Sequence, residues 1–406
     1  MKKIFFGFFI LPLLWLQVQG VTIASPEIAQ IQVESDRAPI TVLDRLFTDS
    51  APDEKWFDPL FLEEISLTDI GKILEQIRQT LGTYQTVREA EDGYLLVFEQ
   101  GSVPVQIRLN REGRIIYLLF QPPIGNQILS WEEIVRQLRE FSGEVSFLAL
   151  EDGQTIAHLQ SDRPLAVGSA FKLAVLAALK QEINQGNFAW DEVVKLKSQW
   201  QSLPSGMLQD WREGFPITVH TLATLMISLS DNTATDALIA LLGRETVEAF
   251  SARNRPFLTT REAFILKNPD NQRFLQQYRA GNEAEKRRIL AAARSASLPQ
   301  VNIFSGNPVA VDVEWFFSSR ELCQLMAEVG DLPLMSVNPG IVNPKMWERV
   351  SFKGGSEPGV LNFTTQLTDR KGRRYCLALT WNDDRPLDEI RLLMVYRSAI
   401  AALQGN

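Results

Sequence analysis

The chain has 406 residues, of which 45% are hydrophobic and 22% are charged, so it can bury a core and is not a disordered polypeptide. It carries 41 Lys and Arg residues against 49 Asp and Glu residues, a net charge of −8, which argues against nucleic-acid binding. Two histidines and two cysteines are too few for a Cys/His zinc cluster of the usual spacing. Because only two histidines are available for a Ser-His-Asp triad, we expect the base to be a lysine or a carboxylate if the protein is a hydrolase. The length favours two domains.

The first twenty residues have the pattern of a secretory signal. Two lysines precede an apolar run, Ile4–Leu16, that is shorter than the ~20 residues of a membrane span. Val18 and Gly20 have the spacing that a signal peptidase needs, which predicts cleavage near Gly20; a retained anchor is the alternative. We expect an exported protein, periplasmic or secreted, without a stable membrane span. A polar lead-in, residues 21–42, follows.

Residues 43–123 predict a small α+β domain. Ser66 and Asp69 can cap a helix, and apolar residues then recur at helical spacing from Leu67 to Leu81, before Gly82. Alternating or dense apolar runs predict strands at Tyr94–Phe98, Val103–Leu109 and Ile115–Phe120. The expected architecture is one main helix packed on a curved antiparallel sheet.

Residues 129–406 predict a larger second domain. A helix begins after Ser130, and a helix-rich stretch occupies about residues 169–327. Strands are predicted before that stretch at Val145–Leu150 and Thr155–Leu159, and after it at Val350–Lys353, Gly359–Leu367 and Tyr375–Trp381. A last helix is predicted at Leu387–Leu403. This order predicts an antiparallel sheet flanked by helices, with a helical lobe inserted in the middle.

Ser169 and Lys172 form a Ser-x-x-Lys motif at the start of a strongly helical run. Residues three apart on a helix share a face, so the lysine amine can act as base for the serine hydroxyl. A serine at a helix start also gains from the helix dipole. Taken alone, the motif is better explained as a helix cap with an exposed lysine, since Ser-x-x-Lys occurs often by chance.

Two further motifs follow in order. Ser230-Asp231-Asn232 lies between two apolar helices, where it can face a cleft or simply cap the second helix. Lys353-Gly354-Gly355 ends a strand, where glycines allow close approach of a ligand or form a bend. Each is ambiguous alone, but all three in this order resemble the Ser-x-x-Lys, Ser-Asp-Asn and Lys-(Thr/Ser)-Gly signature of class A β-lactamases and penicillin-binding proteins.

From about Leu129 onward the sequence resembles that family of serine hydrolases. The resemblance is carried by Val167–Lys172, by Met226–Ala234 and by the Lys353 motif. The two-domain arrangement is similar to hydrolases related to the β-lactamase-like protein of clavulanate gene clusters, in which a small steroid-isomerase-like domain comes first. The resemblance implies a small-molecule substrate, no metal and no other cofactor.

The resemblance also implies a role for each motif residue. Ser169 would be the acylated nucleophile, Lys172 its base or proton relay, and Ser230 the donor to the leaving nitrogen. Asn232 would hold a substrate amide, and Lys353 would attract the substrate carboxylate. The strand residues Gly354, Gly355 and Ser356 would line the substrate, with the backbone N–H groups of Ser169 and Ser356 as the oxyanion hole.

Two positions depart from the family pattern. Gly354 stands where the family has Thr or Ser, so a hydroxyl for the substrate carboxylate is missing, and Ser356 is the expected substitute. The family's Glu-x-x-Leu-Asn run, which supplies the deacylating glutamate, is absent from the sequence. Glu262 is the candidate by position, with a solvated helix residue as the alternative.

The leading hypothesis is an exported, monomeric hydrolase of β-lactams or similar acyl amides, with a role in β-lactam catabolism or antibiotic resistance. The alternatives are a D-alanyl peptidase, an esterase of the same fold, or a non-hydrolysing penicillin-binding protein. Cys323 and Cys376 can pair in an oxidising compartment or remain as two buried thiols.

Overall fold

The computed structural model describes residues 38–304 and 306–405. The predicted signal segment, residues 1–20, lies outside these residues. Contacts divide the described chain into a first unit of residues 38–129 and 388–405 and a second unit of residues 130–387. In the described ranges, no helix is long and apolar enough to cross a membrane.

The first unit contains helices and an antiparallel sheet. Its main helix begins where Ser66 Oγ accepts the Asp69 N–H at 3.2 Å and ends at Gly82, whose φ of +76° a side chain would disfavour. The strands follow the order β1-β2-β3-β4, and β5 pairs with β3. The elements are α1 (Pro39–Thr48), α2 (Pro59–Glu64), α3 (Leu67–Leu81), β1 (Tyr84–Ala90), β2 (Gly93–Phe98), β3 (Gly101–Leu109), β4 (Ile115–Phe120), β5 (Ile124–Gly125) and the C-terminal helix (Glu389–Ala402).

The C-terminal helix differs from its expected assignment. The sequence placed it in the hydrolase domain, residues 129–406, whereas the contacts group residues 388–405 with the first unit. The physical reason is packing: Ile390 is 2% exposed and lies in the same hydrophobic core as the α3 residues Leu74 and Ile77.

The second unit is built on an antiparallel sheet of order β12-β13-β14-β6-β7, with helices around it. Strands from both ends of the unit meet in this sheet, which confirms the predicted α+β class. The strands are β6 (Glu144–Glu151), β7 (Gln154–Leu159), β8 (Leu165–Ala166), β9 (Val193–Lys195), β10 (Pro216–Thr218), β11 (Phe316–Phe317), β12 (Arg349–Glu357), β13 (Val360–Thr368) and β14 (Arg374–Asn382). The helices are α4 (Trp131–Leu138), α5 (Lys172–Asn184), α6 (Val219–Ser228), α7 (Asn232–Leu242), α8 (Arg244–Glu248), α9 (Thr260–Lys267), α10 (Gln272–Ala280), α11 (Glu283–Ala293) and α12 (Ser319–Val329).

Helix α5 is the centre of the second unit. Residues 172–179 are buried without a break, as expected for a helix that is surrounded on every side. Nearby, Cys323 of α12 and Cys376 of β14 form a disulfide bond. Of the two states that the sequence left open for these cysteines, the structure therefore has the paired one.

Candidate active site

Ser169 lies at the entry to the central helix. A short 3₁₀ turn, Gly168–Phe171, leads directly into α5, so the partly exposed Ser169 is at the positive end of the helix. Gly168 has a φ of +48°, and a Cβ there would lie 3.0 Å from Ser356 N. The glycine thus lets the backbone before Ser169 approach strand β12.

The Lys172 side chain is fully buried beneath the second motif. Its Nζ donates to Ser230 O at 2.6 Å and to Asn232 Oδ1 at 2.7 Å, and it lies 3.1 Å from Ser230 Oγ. Burial lowers the pKa of Lys172 to about 7, although Asp231 and Asp236 act in the opposite direction. A neutral amine has two hydrogens for the two shortest contacts, which leaves its lone pair able to accept a proton.

The second motif is held rigidly by Asp231. This buried residue caps α7 by accepting the Ala234 N–H at 2.8 Å, and its other oxygen accepts the backbone N–H groups of Met207 and Leu208. Ser230, next to it, has a φ of +56°, a strained conformation for a residue with a side chain. The cap and the 207–208 loop thus fix the backbone beside Ser230.

Lys353 completes a line of groups around Ser230. Its Nζ donates to Gly354 O and lies 3.1 Å from Ser230 Oγ. Burial, and next the charge of Lys172, lower the pKa of Lys353 well below its usual range. One hydroxyl therefore contacts two buried amines, an arrangement that can relay a proton.

Strand β12 lies directly against Ser169 because Gly355 has no side chain. A Cβ on Gly355 would lie 2.0 Å from Val167 O and 2.6 Å from Ser169 N. The neighbouring Ser356 N is the atom that approaches Gly168. The structure therefore brings the three motifs together, with the backbone of Ser356 facing the backbone of the 3₁₀ turn.

The structure does not bring Glu262 to this group. Its carboxylate accepts two hydrogen bonds from Arg244, at 2.6 Å and 3.0 Å, and a third from the Thr259 N–H in the capping box of α9. These contacts are those of a structural helix cap. The first residue of α9 contacts the site instead: Thr260 Oγ1 lies 3.3 Å from Asn232 O and 2.9 Å from Asp236 Oδ1.

Asp236 is a buried residue that the sequence analysis missed. Its carboxylate accepts the backbone N–H groups of Thr260 at 2.7 Å and Arg261 at 2.8 Å, so it anchors the start of α9. Burial raises the pKa of Asp236 to about 7. The available signal was its spacing, because a carboxylate four residues after Asn232 lies on the same face of the helix.

Comparison with protein families agrees with this geometry. Residues 130–299 match the model of the Beta-lactamase enzyme family. The second unit has a β-lactamase-like fold. Its resemblance to the class A serine β-lactamase family, inferred above from three short motifs, is confirmed. No curated protein matches the sequence.

Solved structures similar to the chain include β-lactamases and PBP-A. A β-lactamase from Sphaerobacter thermophilus is 20% identical, with 68% of this chain and 98% of that chain covered and a TM-score of 0.47. A class A β-lactamase representative from Bacteroides cellulosilyticus is 17% identical, with coverage of 68% and 97% and a TM-score of 0.48. The structure of PBP-A is 16% identical, with coverage of 68% and 96% and a TM-score of 0.46.

Proposed function

We propose that the protein hydrolyses β-lactams or similar acyl amides through an acyl-enzyme on Ser169. The observation that carries the proposal is the position of the Lys172 amine, buried and hydrogen-bonded to Ser230 and Asn232. A serine needs an adjacent base, and a buried lysine with a pKa near neutrality meets that need.

In this proposal, Ser169 is acylated with Lys172 as its base. Lys172 takes the Ser169 proton while Ser169 Oγ forms a bond to the carbonyl carbon, and the oxyanion is held between the N–H groups of Ser169 and Ser356. The C–N bond breaks as Ser230 gives its proton to the leaving nitrogen. Lys172, which lies 3.1 Å from Ser230 Oγ, returns a proton to Ser230 and becomes neutral again.

Substrate binding in this proposal relies on the strand β12. Lys353, Asn232 and Ser356 supply polar contacts to the substrate, and because burial lowers the pKa of Lys353, its amine acts mainly as a hydrogen-bonding group. Gly354 has no hydroxyl, and a Cβ at this position would lie 2.9 Å from the Phe352 ring, so this ring occupies the space that a side chain here would need. We therefore propose a weaker preference for a substrate carboxylate than the full family motif provides.

A penicillin-binding protein or peptidase with slow release is the second candidate. It is favoured by the contacts of Glu262, whose oxygens are taken up by Arg244 and the α9 cap. Thr260, the α9 residue that lies nearest to Asn232 O among these contacts, has no carboxylate to activate water. An esterase of the same fold shares the acylation step.

Location and assembly remain part of the proposal. The predicted signal at residues 1–20 supports export to the periplasm or beyond, and the resemblance supports a monomer acting on a small molecule. In this setting the protein would remove or sequester β-lactams.

Intact-mass spectrometry with penicillin G tests the proposal. Rapid turnover without a lasting adduct supports a β-lactamase, whereas an adduct of one equivalent that persists for minutes supports a penicillin-binding protein. The control is Ser169→Ala, which should give neither. If the parent protein forms no adduct and turns over neither penicillin G nor a panel of activated esters, the proposal is wrong.

A further inference from the structure

A buried ion cluster lies beside the site and has no part in the mechanism above. Lys267, the last residue of α9, pairs with Glu314 and with both oxygens of Glu357, each at 2.7 Å. The side chains of Lys267, Glu314 and Glu357 are 1%, 3% and 15% exposed. We call these three residues the Lys267 cluster.

Burying the charges of the Lys267 cluster has a high desolvation cost for whatever stability it provides. It places one cation between two carboxylates, and Glu314 Oε2 is buried with no hydrogen-bond partner. Burial, and next the neighbouring Glu314, raise the pKa of Glu357 to about 8. Well-packed apolar side chains commonly stabilise such a site as well as buried ions do, so the cluster calls for a role beyond stability.

Both carboxylates attach to backbone that lines Ser169. Glu357 directly follows Ser356, whose nitrogen faces Gly168. On the other side, Glu314 directly precedes Trp315. The carbonyl oxygen of Trp315 accepts the Val167 N–H at 3.0 Å, and its ring stacks on Phe171 with centroids 3.8 Å apart. Lys267 therefore links strand β12 to the segment that packs on the 3₁₀ turn of Ser169.

We propose that the Lys267 cluster positions the oxyanion hole, by fixing the Ser356 N–H against the Ser169 N–H. The three side chains are positioning residues, because they act through the backbone of β12 and through Trp315. This inference rests on the proposed acylation of Ser169 and goes further by assigning residues outside the three motifs. Small displacements of such donors are expensive, since a shift of about 1 Å can cost roughly 100-fold in rate.

The test compares an activated ester with the matching thionoester as acyl donors for Glu357→Ala, which removes both contacts to Lys267, whereas Gln would mimic the protonated carboxyl that the raised pKa of Glu357 favours. Sulfur is a weak hydrogen-bond acceptor, so acylation by the thionoester depends little on the oxyanion donors. We expect the ester acylation rate to fall roughly 10- to 100-fold and the thionoester rate to fall less than about twofold, with substrate binding before acylation unchanged. The ester-to-thionoester ratio should therefore collapse.

Two controls make the result decisive. Asp162→Asn removes one partner of an exposed ion pair with Arg320 and should leave the ratio at the parent value. If Glu357→Ala does not fold, the triple variant Lys267→Met, Glu314→Leu and Glu357→Leu keeps the site packed but removes the ion pairs that link β12 to the Trp315 segment, and its ratio should collapse in the same way.

Equal losses on both substrates, or an unchanged ratio in a folded variant, would overturn the positioning role. These outcomes differ from failure of the proposed function, in which the parent protein itself would acylate with neither substrate and both proposals would fall together.

Discussion

The acylation rate of Ser169 should rise with pH and level off above neutrality, because Lys172 must be neutral to accept the proton. Burial lowers the pKa of this amine to about 7. A lysine loses its charge as the pH rises, so the reactive fraction grows about tenfold per pH unit below 7 and changes little above 8.

The size of the effect follows from the pKa. At pH 7 about half of the Lys172 amines are neutral, and at pH 6 about one in ten. An ordinary lysine, with a pKa of ~10.4, would be neutral in only about one molecule in 2,500 at pH 7. Burial therefore increases the reactive fraction at neutral pH by roughly 1,000-fold.

The assay is stopped-flow acylation with a chromogenic β-lactam between pH 5.5 and 9. Asp236→Asn provides the control, because the charge of Asp236 raises the pKa of Lys172 and its removal should move the inflection to lower pH. Since Asp236 itself has a pKa near 7, loss of the inflection in this variant would assign it to the carboxylate. A flat profile, or an inflection near 10, would refute the reasoning.

The other predictions concern the same domain. Ser169→Ala should abolish the acyl adduct in mass spectra while circular dichroism stays unchanged. Lys172→Ala should slow acylation nearly as much as Ser169→Ala. The double variant should be little slower than either single variant, since the effects of groups that act as a unit are not additive. If the two rate losses multiply instead, Lys172 acts independently of Ser169. Glu262→Gln should leave the single-turnover rates of acylation and release within about twofold of the parent rates. It should lower the free energy of unfolding, measured in urea, by roughly 1–3 kcal/mol, because Arg244 loses its charged partner. A slowed release would restore Glu262 as the base. Reducing the Cys323–Cys376 bond, which closes a loop of 53 residues, should lower the free energy of unfolding by about 4 kcal/mol, and an unchanged urea midpoint would contradict this.

The sequence predicted the helices and strands whose boundaries depend on residues close to one another in the chain. Helix α3 begins at its Ser66 cap and ends before Gly82, as expected, because capping and periodic burial involve neighbouring residues. Strand β1, Tyr84–Ala90, was missed because Val87 is its only buried residue, so it lacks an apolar alternation.

The motifs were predictable for a different reason. Ser169 and Lys172 are one helical turn apart. Ser230 and Lys353 each lie in a short segment, and the three segments together form a combination of residue types that rarely occurs by chance. Glu262 was not predictable in the same way. Which residue of α9 contacts Asn232 depends on where Asp236 anchors the helix start, and this contact between distant segments leaves no periodic signal.

In the proposed mechanism, acylation and release share one base, and the lifetime of the acyl-enzyme follows from that. The acylating groups all belong to the three motifs, whereas an activated water would need a free base on the side of α9. Asp236 accepts two backbone N–H groups and contacts the Thr260 hydroxyl, so its oxygens are occupied despite a pKa near 7. We therefore expect Lys172 to serve in release as well, since it is neutral again once Ser230 has been reprotonated. Release through the same amine would share the pH dependence of acylation. The amine is positioned to take a proton from the serine, however, and not from an attacking water.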